Sequence, residues 1–277
     1  MYSYFLTYWY GALTMSERHD YPTGVPCWVE GLHRDVPAAL DFYGSLFGWE
    51  FEGSGSEPEY FVARLRGHDV AGIASMPGQV THVDAMWMTH VRVDHVAAAA
   101  ELAADVGGAV LAGPMEVPPA GSLAVLADPA GAPLCAWNPG ERPGAALVNE
   151  PGAWAMSTLL TPDPDAAADF YASVFGWEVE SFGPPEAGVG VFRRPGYVGG
   201  EPEQPVPRDV VAAMAPLRDG DPRWSVDFWV ADLDASLPRV GELGGRVLGE
   251  PRDMPPLRRA TVSDPQGGEF TLSQLVI

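Results

Sequence analysis

Asp35-Val-Pro-Ala-Ala-Leu-Asp-Phe-Tyr-Gly-Ser-Leu-Phe-Gly-Trp-Glu-Phe-Glu52 is written twice in this chain, the second time from Asp163 to Glu180. Aligned without a gap, 12 of the 18 positions are identical, among them Asp-Phe-Tyr at 41–43 and 169–171 and Phe-Gly-Trp-Glu at 47–50 and 175–178. Such self-similarity marks a structural unit that has been copied. The first copy reads as a helix. Asp35 is placed to cap it, Pro37 falls in its first turn, Leu40, Tyr43 and Phe47 share one face, and Gly48 can end it in a left-handed conformation. In the second copy Asp163 and Pro164 take the cap and first-turn positions.

Around these helices the chain divides into four modules. The first, residues 24–80, opens on the apolar strand 26–32. The second, 84–138, has a strand from Met86 to Val93, an Ala-rich helix, Gly107-Gly108 and the turn Asp128-Pro-Ala-Gly131. The third, 153–216, carries the second copy of the opening helix. The fourth, 223–277, echoes the second with Leu243-Gly244-Gly245 and Asp264-Pro-Gln-Gly267. Each module is predicted to be βαβββ. The expected fold class is α+β, with two domains at 24–140 and 153–277. Residues 141–152 have linker composition, and 1–23 form a disordered or accessory arm, with Met15 a more natural start than Met1.

Composition narrows the function classes. The 277 residues, 47% hydrophobic, can build a core for each of two domains. Against 16 basic residues stand 37 acidic ones, a net charge of −21, which repels phosphate backbones and anionic lipid. Neither nucleic acid nor membrane is expected as a partner. Cys27 and Cys135 are the two cysteines, with no CxxC spacing, so no disulfide framework or structural zinc motif is indicated; both read as buried core residues. The expected setting is cytoplasmic and the expected assembly a monomer or homodimer. Nucleotide-binding and serine-hydrolase motifs are missing.

The capped helix with Ala-Ala-x-Asp-Phe-Tyr, Phe-Gly-Trp-Glu at its end, and the later Leu-Gly-Gly and Asp-Pro-x-Gly resemble the vicinal oxygen chelate superfamily, the glyoxalase, bleomycin-resistance and extradiol-dioxygenase group, in its two-domain bacterial form. The resemblance covers roughly residues 24–277. It implies paired modules whose sheets curl into half-open barrels around a small-molecule cavity. It also implies where a metal would be held: a His or Gln seven residues before the helix-start Asp, and a Glu seven residues after the Asp of Asp-Pro-x-Gly. In this sequence the first count falls on Trp28, Met88, Met156 and Ser225, taking His95 as the helix start of module two, and the second on Cys135 and Thr271. No family-type metal ligand set is left, and no cofactor is expected.

Side chains two apart on a strand share a face, so the face of those positions continues at Glu30, His90, Thr158 and Asp227. Ionisable groups on such apolar strands need partners or shifted pKa values. Glu30, His90 and Asp227 are therefore the candidate catalytic residues, with His90 as general acid or base and one of the carboxylates orienting it or taking the opposite role. The alternatives are that they lie in different half-barrels or meet at the domain interface as structural groups, or that the same three residues make a shifted metal site. Trp28, Met88, Met156, Thr158, Ser225 and Trp229 are the candidate substrate-binding residues, with Trp87, Trp137 and Trp154 as further lining, and such walls suit a hydrophobic aromatic ligand. The expected function is metal-independent acid–base tailoring (cyclisation, dehydration or isomerisation) of a hydrophobic aromatic natural product such as a polyketide in antibiotic biosynthesis. A drug-sequestering protein and a lyase of reactive aldehydes are the alternatives.

Overall fold

A computed structural model describes residues 16–53, 59–80, 82–182, 188–199 and 208–276. The first fifteen residues, expected to belong to a disordered or accessory arm, and most of the Pro- and Glu-rich insert at 195–208 lie outside them. The strand β1 (Ser16–Glu17) precedes the first module: β2 (Pro26–His33), α1 (Val36–Phe47), β3 (Glu50–Gly53), β4 (Tyr60–Leu65) and β5 (His68–Ser75). The second module is β6 (Ala85–Arg92), α2 (Val96–Asp105), β7 (Ala109–Val117), β8 (Gly121–Ala127) and β9 (Pro133–Pro139). After β10 (Leu147–Val148) the plan repeats with β11 (Trp154–Thr161), α3 (Pro164–Phe175), β12 (Glu178–Phe182), β13 (Val189–Arg193) and β14 (Val210–Pro216). The last module holds β15 (Arg223–Trp229), α4 (Leu233–Glu242), β16 (Arg246–Val247), β17 (Arg252–Met254), β18 (Leu257–Ser263) and β19 (Glu269–Leu275).

Modules one and two share one eight-stranded sheet in the order β3-β4-β5-β2-β6-β9-β8-β7, and modules three and four share a nine-stranded one, β12-β13-β14-β11-β15-β19-β18-β16 with β17 on β18. The fold class is the expected α+β, and the sheets stay open. Stretches read from composition as arm and linker meet, because β1 pairs antiparallel with β10 and Tyr21 donates to the carbonyl of Ala145 at 2.7 Å.

The repeated helix forms as its sequence dictates. Asp35 Oδ1 accepts from the Ala38 amide and Asp163 Oδ1 from the Ala166 amide, and Gly48 and Gly176 close the helices at φ 73° and 69°. Each helix also bridges the two sheets. Tyr43 of α1 donates to Asp264, before β19, and Tyr171 of α3 donates to Asp128, before β9. The paired glycines permit this approach. A Cβ on Gly108 would lie 2.5 Å from the Ala127 carbonyl oxygen and from the Phe170 ring, and one on Gly245 would lie 2.4 Å from the Ser263 oxygen and 3.1 Å from Phe42. The core is the layer between the sheets, where Phe47, Trp49, Trp87, Phe228 and Phe270 pack ring against ring. Trp87, expected to line a ligand cavity, belongs to this core: next to Met88 on β6, it points the opposite way and donates to Tyr43 at 3.0 Å.

Candidate functional sites in the two cups

The concave face of each sheet is set by register. In the first sheet Trp28 pairs with His90, Glu30 with Met88 and His90 with Cys135, so Trp28, Glu30, Met88, His90 and Cys135 share one face. In the second, Met156 pairs with Asp227, Thr158 with Ser225 and Asp227 with Thr271. Glu30, His90 and Cys135 of the first cup thus correspond to Thr158, Asp227 and Thr271 of the second. The structure brings Glu30 and His90 together and leaves Asp227 in the other cup, so the three candidate catalytic residues do not form one constellation.

The first cup is closed. Trp28, Leu32, Ala74, Met88, His90, Cys135 and Trp137 are all buried, and Glu30 is half-buried. Trp28 Nε1 donates to Tyr60 Oη at 2.9 Å. Gly72 makes room for that pair, since a Cβ there would meet Tyr60 Oη at 2.4 Å. Val80 and Val83 pack on the cluster formed by Leu32, Met76, Met88 and Cys135. Within it His90 Nε2 lies 3.2 Å from Glu30 Oε1, yet out of hydrogen-bond alignment, and the buried Nε2 has no hydrogen-bond partner among the described residues. Burial works against the imidazolium, but Cys135 and Glu30 outweigh it and hold the His90 pKa up at about 10. Cys135, read from the sequence as a core residue, is therefore also the third member of this polar cluster. The parallel pairing of β6 with β9 puts it there, at the position seven residues after Asp128 where the resemblance implies a ligand.

The second cup is more open. Thr158, Asp227 and Thr271 form its buried floor, Met156, Leu160, Ser225, Trp229 and Arg259 are half-buried around them, and Phe182, Val189 and Thr261 are exposed. Asp227 Oδ2 accepts from Ser273 Oγ at 2.7 Å and pairs with Arg259 Nη2 at 2.8 Å. Its Oδ1 is buried with no hydrogen-bond partner among the described residues, and so is Thr158 Oγ1. Burial raises the Asp227 pKa above the ordinary 3.8, against the pull of Arg259 and Ser273. Beside the cup a cleft is lined by Arg18, Trp154, Met156, Tyr197 and Arg208. In the sequence Arg258-Arg259 reads as a solvated loop able to bind an anion; the structure instead places Arg259 on β18, half-buried and paired with Asp227.

The six candidate substrate-binding residues divide between the cups, Trp28 and Met88 in the closed one, Met156, Thr158, Ser225 and Trp229 in the open one. At the positions where the superfamily places metal ligands stand the indole of Trp28, the thioethers of Met88 and Met156, the hydroxyls of Ser225 and Thr271 and the thiol of Cys135, in place of the imidazole and carboxylate donors of an open manganese or iron site.

Known proteins bear on this arrangement. The family model for a glyoxalase-like domain matches residues 29–137 and again 155–273. CFP32 of Mycobacterium tuberculosis, whose name assigns it provisionally to the glyoxylases, is 36% identical over 264 residues, covering 93% of this chain and 97% of its own. The anthracycline biosynthesis protein DnrV of Streptomyces peucetius is 33% identical over 271 residues, covering 91% and 94%. Among solved structures, the Mn(II)-bound glyoxalase from Novosphingobium aromaticivorans superposes with a TM-score of 0.62 at 14% identity, over 91% of this chain and 82% of that one, a likeness of fold alone. With both halves matched and its helices, glycine pairs and turns explained, the chain belongs to the glyoxalase-like family of the vicinal oxygen chelate superfamily, as a member with two copies of the domain.

Proposed function

We propose that the open cup of the second domain is the active site of a tailoring enzyme that moves protons, without a metal, on a hydrophobic aromatic natural product. The observation that carries the reading is Asp227: a buried carboxyl with one oxygen tied to Ser273 and Arg259 and the other without a hydrogen-bond partner among the described residues. Held in this way, it can take a proton at Oδ1 from a carbon next to a substrate carbonyl and return it elsewhere. Return to carbon gives isomerisation; return to a departing hydroxyl gives dehydration. Arg259 balances the charge of the carboxylate. The Thr158 hydroxyl is available to donate to an enolate oxygen, and Met156 and Trp229 offer flat, polarisable walls. His90 and Glu30 stand in the other cup and have no part in this step.

The substrate class is supported by the kinship with DnrV, named for anthracycline biosynthesis, since an anthracycline is a fused, partly aromatic ring system. The test is hydrogen exchange. With 2-tetralone, a fused-ring aromatic ketone, in deuterated buffer, the protein should accelerate loss of the α-proton NMR signal, and Asp227→Asn should abolish that acceleration while the ketone still binds. Binding by the wild-type protein with no exchange would instead favour a sequestering role.

A further inference from the structure

We infer that Glu30, His90 and Cys135 form a zinc site in the closed cup of the first domain, one strand repeat away from the positions where the superfamily keeps its metal. The donor atoms of the three side chains all lie within 4.8 Å of one another. The 3.2 Å between His90 Nε2 and Glu30 Oε1 is close to the roughly 3.3 Å that separates two ligands on one tetrahedral zinc with bonds of about 2.0–2.1 Å. As a hydrogen bond the contact is out of alignment, and the buried Nε2 has no hydrogen-bond partner among the described residues; its length suits two donors on one shared ion.

The chemistry of the set points the same way. Thiolate, imidazole and carboxylate are the donors that zinc takes in proteins. A dication with one thiolate, one carboxylate and a neutral imidazole sums to no net charge, which suits walls of Leu32, Ala74, Met76 and Met88. Met88 Sδ, 3.4 Å from Cys135 Sγ, adds a soft flank beside the thiolate. Along β2 and β6 the superfamily's ligand positions hold Trp28 and Met88, and the next residues on the same face, Glu30 and His90, supply the donors instead; on β9 Cys135 itself occupies the position at which a Glu is the superfamily's ligand. The corresponding Thr158, Asp227 and Thr271 of the second cup offer no such set, so the duplicated positions have diverged into an ion site and a proton-transfer site. Three protein donors leave one position of a tetrahedral zinc to a small ligand such as water, within walls of buried side chains.

The full-length protein, purified without chelator, is tested by metal analysis and by titration of the zinc-depleted form with zinc and with cobalt(II). About one zinc per chain is expected, together with an intense thiolate-to-cobalt charge-transfer band and a melting temperature that rises on zinc addition. Cys135→Ser and His90→Ala should weaken zinc binding by about 100-fold or more. Because Cys27 is the other cysteine, the cobalt–thiolate band of the Cys27→Ser protein can arise only from Cys135, so the assignment stands or falls even if a ligand variant does not fold. Absence of zinc uptake and of that band, or a folded Cys135→Ser protein that holds zinc as the wild type does, overturns it. Asp227→Asn, silent in 2-tetralone exchange, should bind zinc normally, which separates failure of one proposal from failure of the other.

Discussion

Tyr43 donates its hydroxyl hydrogen to Oδ2 of Asp264 at 2.8 Å, tying the first helix of one domain to the last turn of the other. Tyr171 repeats the bond to Asp128 at 3.1 Å. The two halves are therefore locked by a reciprocal pair of buried phenol–carboxylate contacts, each made by the Tyr of an Asp-Phe-Tyr motif and the Asp of an Asp-Pro-x-Gly motif. Asp264 has one partner more, His33 Nε2 at 2.8 Å.

Loss of one of these bonds is expected to loosen both domains together. Tyr43→Phe leaves Asp264 its His33 contact and should cost about 1–2 kcal/mol, read as a lower urea midpoint with a single transition. Two separated transitions would show that the interface does not couple the domains.

The two aspartates should respond oppositely to pH. Burial pushes the Asp264 carboxyl up, but His33, the Gly268 amide and Tyr43 outweigh it and hold its pKa below 3.8. Its contribution is thus fully present above the unfolded value and is lost as pH falls through the folded one. Burial raises Asp128 despite the Ala132 amide and Tyr171. Its contribution is fully present below the unfolded value and is lost as pH rises through the folded one. Asp264→Asn should cost about 3 kcal/mol at pH 7 and less in acid, whereas Asp128→Asn should cost under about 1 kcal/mol at pH 7. Equal costs at pH 7 would contradict this assignment of the two carboxylates.

Glycines that look alike in the sequence should differ under substitution. Gly245→Ala drives a methyl to 2.4 Å from a backbone oxygen and should destabilise by about 3 kcal/mol or more. Gly48→Ala meets nothing within 4 Å, so its cost is the left-handed backbone alone, about 1 kcal/mol. Thermal melts of the two variants make the comparison.

The walls of the open cup should govern affinity rather than turnover. Trp229→Ala is expected to weaken 2-tetralone binding about 10-fold with the exchange rate of the bound ketone little changed. A variant that binds normally would remove Trp229 from the ligand's path.

Much of the fold is legible in the sequence because the copied helix carries its own punctuation: Asp35 and Asp163 cap it, Gly48 and Gly176 end it. Strand alternation likewise put Glu30, His90, Thr158 and Asp227 on concave faces. Alternation cannot say which of these faces share a cup, and the sheets bring Glu30 to His90 while leaving Asp227 in the other one. Nor can it reveal partners on strands distant in sequence. Cys135 joins His90 through the parallel β6–β9 register, and Arg259 reaches Asp227 from β18, beyond β19. The doubled Tyr and doubled Asp were visible as motifs, but their exchange across domains is a consequence of how the sheets pack.

The most direct measurement is the pH dependence of 2-tetralone α-proton exchange in the wild-type protein and Asp227→Asn. Exchange by the wild type should rise with pH through an inflection above the ordinary carboxylate value of 3.8, because burial raises the Asp227 pKa and the proton is taken by the carboxylate form. Asp227→Asn should lose the inflection and about 10²–10⁴-fold in rate with binding retained. An Asp227→Asn protein that exchanges at the wild-type rate with the same profile would contradict the placement of proton transfer in the open cup.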